Sequence, residues 1–359
     1  MPYSPLISLH ESLGARLEEH SGWKIPNNFG DPAGEHLTGR KEAVLIDLSH
    51  RGKILISGPD SAKFLQGMLS NRAENLSPGE GSYNTFLTRQ GKFVTDMHLF
   101  CCEHGFAADL PPGVASAFAK AIDMYIIMDQ VKIEDFTESQ CGIGLFGPGS
   151  PKILKDVGLG AGGLAEHGHH EIDGIHIARE FWTGEDGYLL WVQQKRAESL
   201  WTELSNCGAR PAGTSTFGTM TLEAGTRLFG IDMDSNINPM QAGIEATAID
   251  FEKGCYIGQE VIAKIKYLGQ VNRGLVGIHL DGNLVPSHGA RVDLNNEEVG
   301  ILTRAAYCPT LEHVAAFGLI HRKAMEPGTA FSIWECEEKI HAEVVSLPFF
   351  RNPALNAQQ

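Results

Sequence analysis

From Gly274 to Leu347 the chain falls into short segments rich in alternating apolar residues: GLVGIHL, GARVDL, EVGILTRAAY, AAFGLIH, AFSIWE and HAEVVSL. A period of two sends successive side chains to opposite faces of a strand, so each segment buries one face only. Strands this short, at this spacing, solve their edge problem by closing on themselves as a small barrel. An all-β domain at 274–359 is therefore expected, and what precedes it must fold by other rules.

The preceding residues interleave α and β signals without a βαβ rhythm. At 359 residues the chain is too long for one core and fits two or three domains. Helical spacing covers 8–20 and SGWKIP breaks it. VLIDLSHRGKILISG alternates like two strands around Ser49–Gly52. Asp60 or Ser61 caps a helix whose face is Phe64, Leu65, Met68 and Leu69. A hairpin turns at Arg89–Gly91, VASAFAKAIDMYI reads as a helix, and IIMDQVKIEDF reads as a buried strand. CGIGLFGPGSPKILKDVGL is a strand then a helix, followed by a Gly-rich loop at 158–163. A similar passage runs through IHIARE, GYLLWV and RAESLWTELSNCGA. The fold class is α+β.

The formal net charge of -15 argues against a broad grip on nucleic acid or an anionic membrane. The start lacks a basic region followed by an apolar one, and no apolar run is long enough to span a bilayer. Seven cysteines without a CxxC pair read as reduced thiols, so the expected location is cytoplasmic, with no membrane partner.

Some motifs are set aside. GIGLFG at 142–147 matches G-x-G-x-x-G, but a poor strand precedes it and Pro148 follows, so it reads as a close-packed strand-to-helix turn. EHGHHE at 166–171 offers histidines and glutamates beside a Gly-rich loop and reads as a solvated loop, with no metal site expected. Asp232, Asp234 and Asn236 lack the glycine and closing Glu of a calcium loop and read as a turn.

Other stretches carry chemistry together. DLSHRG (47–52) puts a Ser and a His on a turn between strands. RQGKFVTDMHLF (89–100) places Asp96 on a strand after a glycine turn. REFWTGEDGYLLWV (179–192) sets Glu185 at a turn, and LEAGTRLFGIDMDSNINPMQAG (222–243) reads as a helix carrying Arg227 and ending near Gly230. The loop KGCYIGQE packs Lys253, Gly254, Cys255, Tyr256, Gly258, Gln259 and Glu260 together. Its glycines allow a tight path that presents the thiol, and Lys253 nearby would raise the thiolate fraction.

As an ordered set these stretches resemble the folate-binding aminomethyltransferase superfamily, which holds the glycine cleavage T-protein and the YgfZ-type proteins tied to iron–sulfur cluster maintenance and tRNA modification. The resemblance runs from GARLEEHSGWKIP to LPFFRNP. It implies three domains in a cloverleaf around a tetrahydrofolate site: 1–50 with 141–250, 51–140, a connector at 251–273, and the barrel. It further implies that Glu185 holds the pterin edge, with Thr183 and Gly184 fixing that turn, and that Tyr83, Phe181 or Trp182 lines its face. Arg227 or Arg322 would pair with the folate tail, and Asp96 would sit near the reacting N5. The chain departs from T-proteins in carrying Thr95 before Asp96, Gln241 for a glutamate, and KGCYIGQE where they read an Asp followed by FIGKE. That loop fits the YgfZ signature, so the leading expectation is a YgfZ-type tetrahydrofolate-binding protein with Cys255 as its functional thiol and an iron–sulfur protein client. The alternatives are an aminomethyltransferase served by a lipoylated carrier protein, and a non-catalytic interaction module on the same fold.

Overall fold

The computed structural model describes residues 3–160, 163–336 and 338–352. A six-stranded sheet runs in the order His169–Ile172, Ile175–Arg179, Gly187–Gln193, Gln140–Phe146, Val44–Asp47 and Arg210–Ala212; only the last pair is parallel. A five-stranded antiparallel sheet follows the order Gly81–Leu87, Phe93–Cys102, Gly105–Pro112, Arg51–Ser57 and Lys132–Asp135. The six strands from Arg273–Leu280 to Glu338–Val345 close into a barrel around Ile278, Leu302, Ala316 and Ile333. Among the described residues no helix is long and apolar enough to cross a membrane.

The strands Val44–Asp47 and Arg51–Ser57 are nearly consecutive yet belong to different sheets, so Leu48–His50 is the crossing between them. Asp47 pins that crossing. Its buried carboxylate accepts from Ser49 N at 2.9 Å, from the His10 ring at 2.9 Å and from the Ser4 hydroxyl. Burial alone would raise its pKa, but those hydrogen bonds and the His10 charge bring it down to about 2.

Arg304, on the barrel strand Glu297–Cys308, clasps the barrel to the helix Thr214–Glu223 and the segment after it. Arg304 donates to Gly218 O at 3.1 Å, to Thr226 O at 2.8 Å and to the Asp232 carboxylate at 2.8 Å. Within the body, Arg40 of the helix Pro32–Lys41 donates to Glu223 of that helix at 2.7 Å. The Arg304 bonds to Thr226 and Asp232 hold the segment 224–232 against the barrel.

Some local expectations fail for identifiable reasons. The helix expected over 8–20 stops at Ser12, because Gly14 turns into the left-handed region at φ 79°, and Arg16–His20 pairs as a strand with Trp23–Asn28. The strand expected over IIMDQVKIEDF is confined to Lys132–Asp135, and Ile127 and Met128 are 84% and 90% exposed. The helix expected to carry Arg227 ends at Glu223, leaving Arg227 on the connecting segment. GIGLFG does form a strand and its turn: Gly147 sits at φ 126°, where a Cβ would lie 2.5 Å from Glu42 O. The Gly-rich loop at 158–163 lies partly outside the described residues, as does the end of LPFFRNP.

Candidate functional site

Where the two sheets meet the segment after the helix Thr214–Glu223, they leave a cavity of about 650 Å³. That is the size of an ordinary small-molecule site. Its lining mixes aromatic walls (Tyr83, Trp182, Phe217, Phe229) with a few charged groups, among them Asp96 and Arg227.

The strands Gly81–Leu87 and Phe93–Cys102 build one wall. Their antiparallel register sets Tyr83 opposite His98 and Thr85 opposite Asp96, which brings Tyr83 and Asp96 to one face. The Tyr83 hydroxyl donates to Asp96 Oδ2 at 2.6 Å, whereas Asp96 Oδ1 is buried without a partner. Burial pushes the Asp96 pKa up, against the hydrogen bond from Tyr83 and the nearby His98 and Arg51. Burial and the Asp96 charge together raise the Tyr83 pKa well above its ordinary value, so this phenol stays a donor.

The opposite wall is a network of titratable groups. The fully buried Glu180 follows directly on the strand Ile175–Arg179; its carboxylate takes His98 Nδ1 at 3.0 Å and His167 Nδ1 at 3.1 Å. Trp182 Nε1–H donates to His98 Nε2 at 3.0 Å, so Nε2 is an acceptor and the His98 N–H is on Nδ1. Ligand atoms of His98, His167 and Glu180 lie within 4.8 Å of one another, close enough for a metal ion. The Trp182 contact nonetheless makes His98 Nδ1 an N–H donor to Glu180, which is the opposite of what a metal ligand requires. The fit is to a proton-bearing network.

Arg227 closes the far side. Its guanidinium donates to Gly225 O at 2.9 Å and stands over the Phe317 ring at 5.6 Å, with Nε buried and unpartnered. Burial lowers its pKa, which marks a cation held out of water.

Of the residues singled out by sequence, Asp96, Tyr83, Phe181, Trp182 and Arg227 line this cavity. Glu185 does not. Its carboxylate, 1% exposed, accepts from Arg40 Nη1 at 3.3 Å and from the Asn352 amide, so it ties the body helix Pro32–Lys41 to the segment after the barrel. Burial raises its pKa against those two partners. The expectation that Glu185 and Asp96 face one opening is corrected: the tight turn at Gly184, φ 76°, leaves this carboxylate among Arg40 and Asn352. Thr183 is buried beside it and gives its carbonyl to Arg40 at 2.6 Å. Arg322 lies on the exposed outside of the barrel near Gln270.

The KGCYIGQE loop is also off the cavity. Cys255 is exposed, and the Lys253 ammonium expected to activate it donates instead to Leu69 O at 2.6 Å and Asn71 O at 2.8 Å. Burial lowers the Lys253 pKa to about 8, with Asp250 opposing. Tyr256 is core, packed with Leu87, Phe93 and Ile262. Gly258 (φ 85°) starts the helix Gln259–Leu268, with Gln259 and Glu260 in its first turn. Its Cβ would meet Thr88 O at 2.7 Å.

The residues missed by sequence reasoning are His98, His167 and Glu180, together with His50. EHGHHE is not a solvated loop: His169 is 6% exposed within the strand His169–Ile172, and His167 lines the cavity. Three histidines and two acids in six residues were the signal. His50, from the DLSHRG turn, lines the same cavity with Nδ1 buried and unpartnered; burial drives its pKa down to about 3, with Asp47 opposing, so it is neutral.

Comparison with known proteins agrees with this architecture. Residues 6–253 match the family described as GCVT N-terminal domain, and residues 273–351 match the glycine cleavage T-protein C-terminal barrel domain. A protein of Halothermothrix orenii named aminomethyltransferase is 31% identical over 97% of this chain and 100% of its own. One of Rubrobacter xylanophilus with the same name is 31% identical over 97% and 94%. The crystal structure of glycine cleavage system aminomethyltransferase T from Bartonella henselae superimposes with a TM-score of 0.92 at 25% identity, covering 97% of this chain and 98% of that one. With its two sheets, its closed six-stranded barrel and both domain matches in order, this chain belongs to the glycine cleavage T-protein family.

Proposed function

We propose that this chain is an aminomethyltransferase, moving a one-carbon unit from an aminomethyl-lipoyl carrier to tetrahydrofolate in the cavity beside Asp96. The observation that carries this reading is the Tyr83–Asp96 pair, a carboxylate with one oxygen hydrogen-bonded and the other buried without a partner, on the wall of an aromatic-lined cavity of about 650 Å³. The residues fit the ligand: Tyr83, Trp182 and Phe229 offer ring faces, Arg227 offers an N–H for a folate carboxylate, and Asp96 Oδ1 offers an acceptor. When bound, tetrahydrofolate supplies the nitrogens that accept the carbon. Asp96 orients the acceptor nitrogen and takes its proton, helped by a pKa that burial raises toward the operating range. Tyr83 holds the carboxylate still while leaving Oδ1 for that work. Relatives named aminomethyltransferase, similar along their whole length, support the same reaction class.

Calorimetry with tetrahydrofolate, together with an assay of lipoyl-dependent transfer, tests the reading. Saturable binding with carbon transfer is expected, and binding without transfer contradicts it. The YgfZ-type reading survives as a rival on a single observation, an exposed Cys255 in a loop that fits that signature. Rescue of iron–sulfur enzyme activity in a deletion strain, abolished by Cys255→Ala, would favour it.

A further inference from the structure

We infer that His167 is a catalytic proton donor of this cavity, anchored through Nδ1 on Glu180 with Nε2 toward the ligand. This rests on the aminomethyl-transfer reading. Glu180 is 0% exposed, and among the described residues the only ion pairs its carboxylate makes are with His98 and His167. A carboxylate so buried needs a compensating charge. His98 cannot readily supply it, because the Trp182 N–H occupies the nitrogen that a further proton would need. The positive charge therefore falls on His167, where the charge and hydrogen bond of Glu180 overcome burial and raise the pKa. The other groups facing His167 are Glu166 on its own loop, which acts in the same sense, and His98 from the neighbouring sheet, whose Nδ1 lies 3.4 Å from His167 Nδ1 and whose ring stands 4.9 Å from Tyr83.

The geometry is that of a carboxylate-oriented imidazole, the arrangement in which an acid fixes one nitrogen and leaves the other for proton transfer. Among the described residues His167 Nε2 has no hydrogen-bond partner; it is not sealed from water, and the residue lines the cavity. Its backbone sits in the left-handed region, φ 60°, which histidine tolerates only with local cost. That cost is kept where it aims the ring at Glu180.

The chemistry balances as follows. As the carbon–sulfur bond to the lipoyl arm breaks, His167 gives its Nε2 proton to the sulfur, which leaves as a thiol. The aminomethyl group enters with its amine protonated, and as its own carbon–nitrogen bond breaks that nitrogen departs as ammonia. As the two carbon–nitrogen bonds to the acceptor form, the acceptor's two N–H protons depart: one goes to Asp96 and the other to the freed ammonia, which leaves as ammonium. Asp96 then returns its proton to His167 through water, resetting both groups.

His167→Asn is the test. Asparagine accepts a positive φ, and its amide can replace the Nδ1–H bond to Glu180, but it has nothing in place of Nε2. The variant is expected to bind tetrahydrofolate within about threefold of wild type and to lose transfer by about 100-fold or more. Glu180→Gln is expected to shift the alkaline limb of the kcat profile to lower pH. In nitrogen-15 NMR the same variant is expected to lower the His167 pKa. His104→Gln, on an exposed turn, is the control expected to change nothing. A His167→Asn rate within about threefold of wild type, or a His167 titration unmoved by Glu180→Gln, overturns the proposal. A wild-type protein that binds tetrahydrofolate yet transfers nothing overturns the transfer reading and this step with it. The Glu180–His167 pairing is still judged by the titration.

Discussion

Two short stretches, KGCYIGQE at 253–260 and EHGHHE at 166–171, exchange roles between sequence and structure. KGCYIGQE has the composition of a reactive loop but spends its special residues on packing. Lys253 ties off the carbonyls of Leu69 and Asn71, Tyr256 joins a core, and Gly258 turns into a helix against Thr88. EHGHHE has the composition of solvated surface, yet it delivers a histidine to a buried glutamate on the cavity wall. Local composition measures how unusual a segment is. What it does depends on which distant residues meet it.

The largest expected effect is at the cavity. Asp96→Asn should lower carbon transfer by about 100-fold or more while leaving tetrahydrofolate affinity within a few-fold, because the amide cannot take a proton. Unchanged steady-state rates would move the chemistry elsewhere.

Stability should be pH-dependent next. His50 and His176 are buried and neutral, with burial lowering both pKa values to about 3. Between that value and the ordinary 6.5 the unfolded chain binds protons the folded one refuses, so their contribution is whole above pH 6.5 and shrinks toward pH 3. Glu180, held at about 2 because its interactions with His98 and His167 outweigh burial, adds a loss below its ordinary 4.5; His167, with a raised pKa, opposes only above the ordinary 6.5, where its contribution grows as pH falls. Urea midpoints should fall from about pH 8 to about pH 5, and His176→Phe should flatten the slope. An unchanged midpoint contradicts the burial of these neutral imidazoles.

Gly258→Ala should cost about 1–3 kcal/mol of folding stability, since it forces a side chain into the left-handed region against Thr88. Transfer per folded molecule should be preserved. Smallest of all, Cys255→Ser should change stability by less than about 0.5 kcal/mol and leave transfer intact, as expected of an exposed side chain. A large loss of transfer with Cys255→Ser would reverse the comparison.

The barrel was legible because short apolar segments at regular spacing are a local property, and each such segment falls in one of its strands. The hairpin was legible too, since Gly91 marks its turn; the register that puts Tyr83 and Asp96 on one wall was not, because it shifts between Phe86 and Leu87. Glu185 misled because a carboxylate on a tight turn points where that turn's φ values send it, and Arg40, far away in sequence, waits there. His98, His167 and Glu180 were hidden because they converge from separate elements, so no spacing links them. The strand Arg16–His20 was lost to a helical pattern that one glycine interrupts.

A crystal structure of the protein with tetrahydrofolate tests the assignment of this cavity most directly. The expected result is the reduced pterin between Tyr83 and Trp182, with a ring nitrogen within hydrogen-bond distance of Asp96 Oδ1 and a tail carboxylate on Arg227. A ligand seated against Glu185 or the Cys255 loop, with the cavity holding only water, would contradict it.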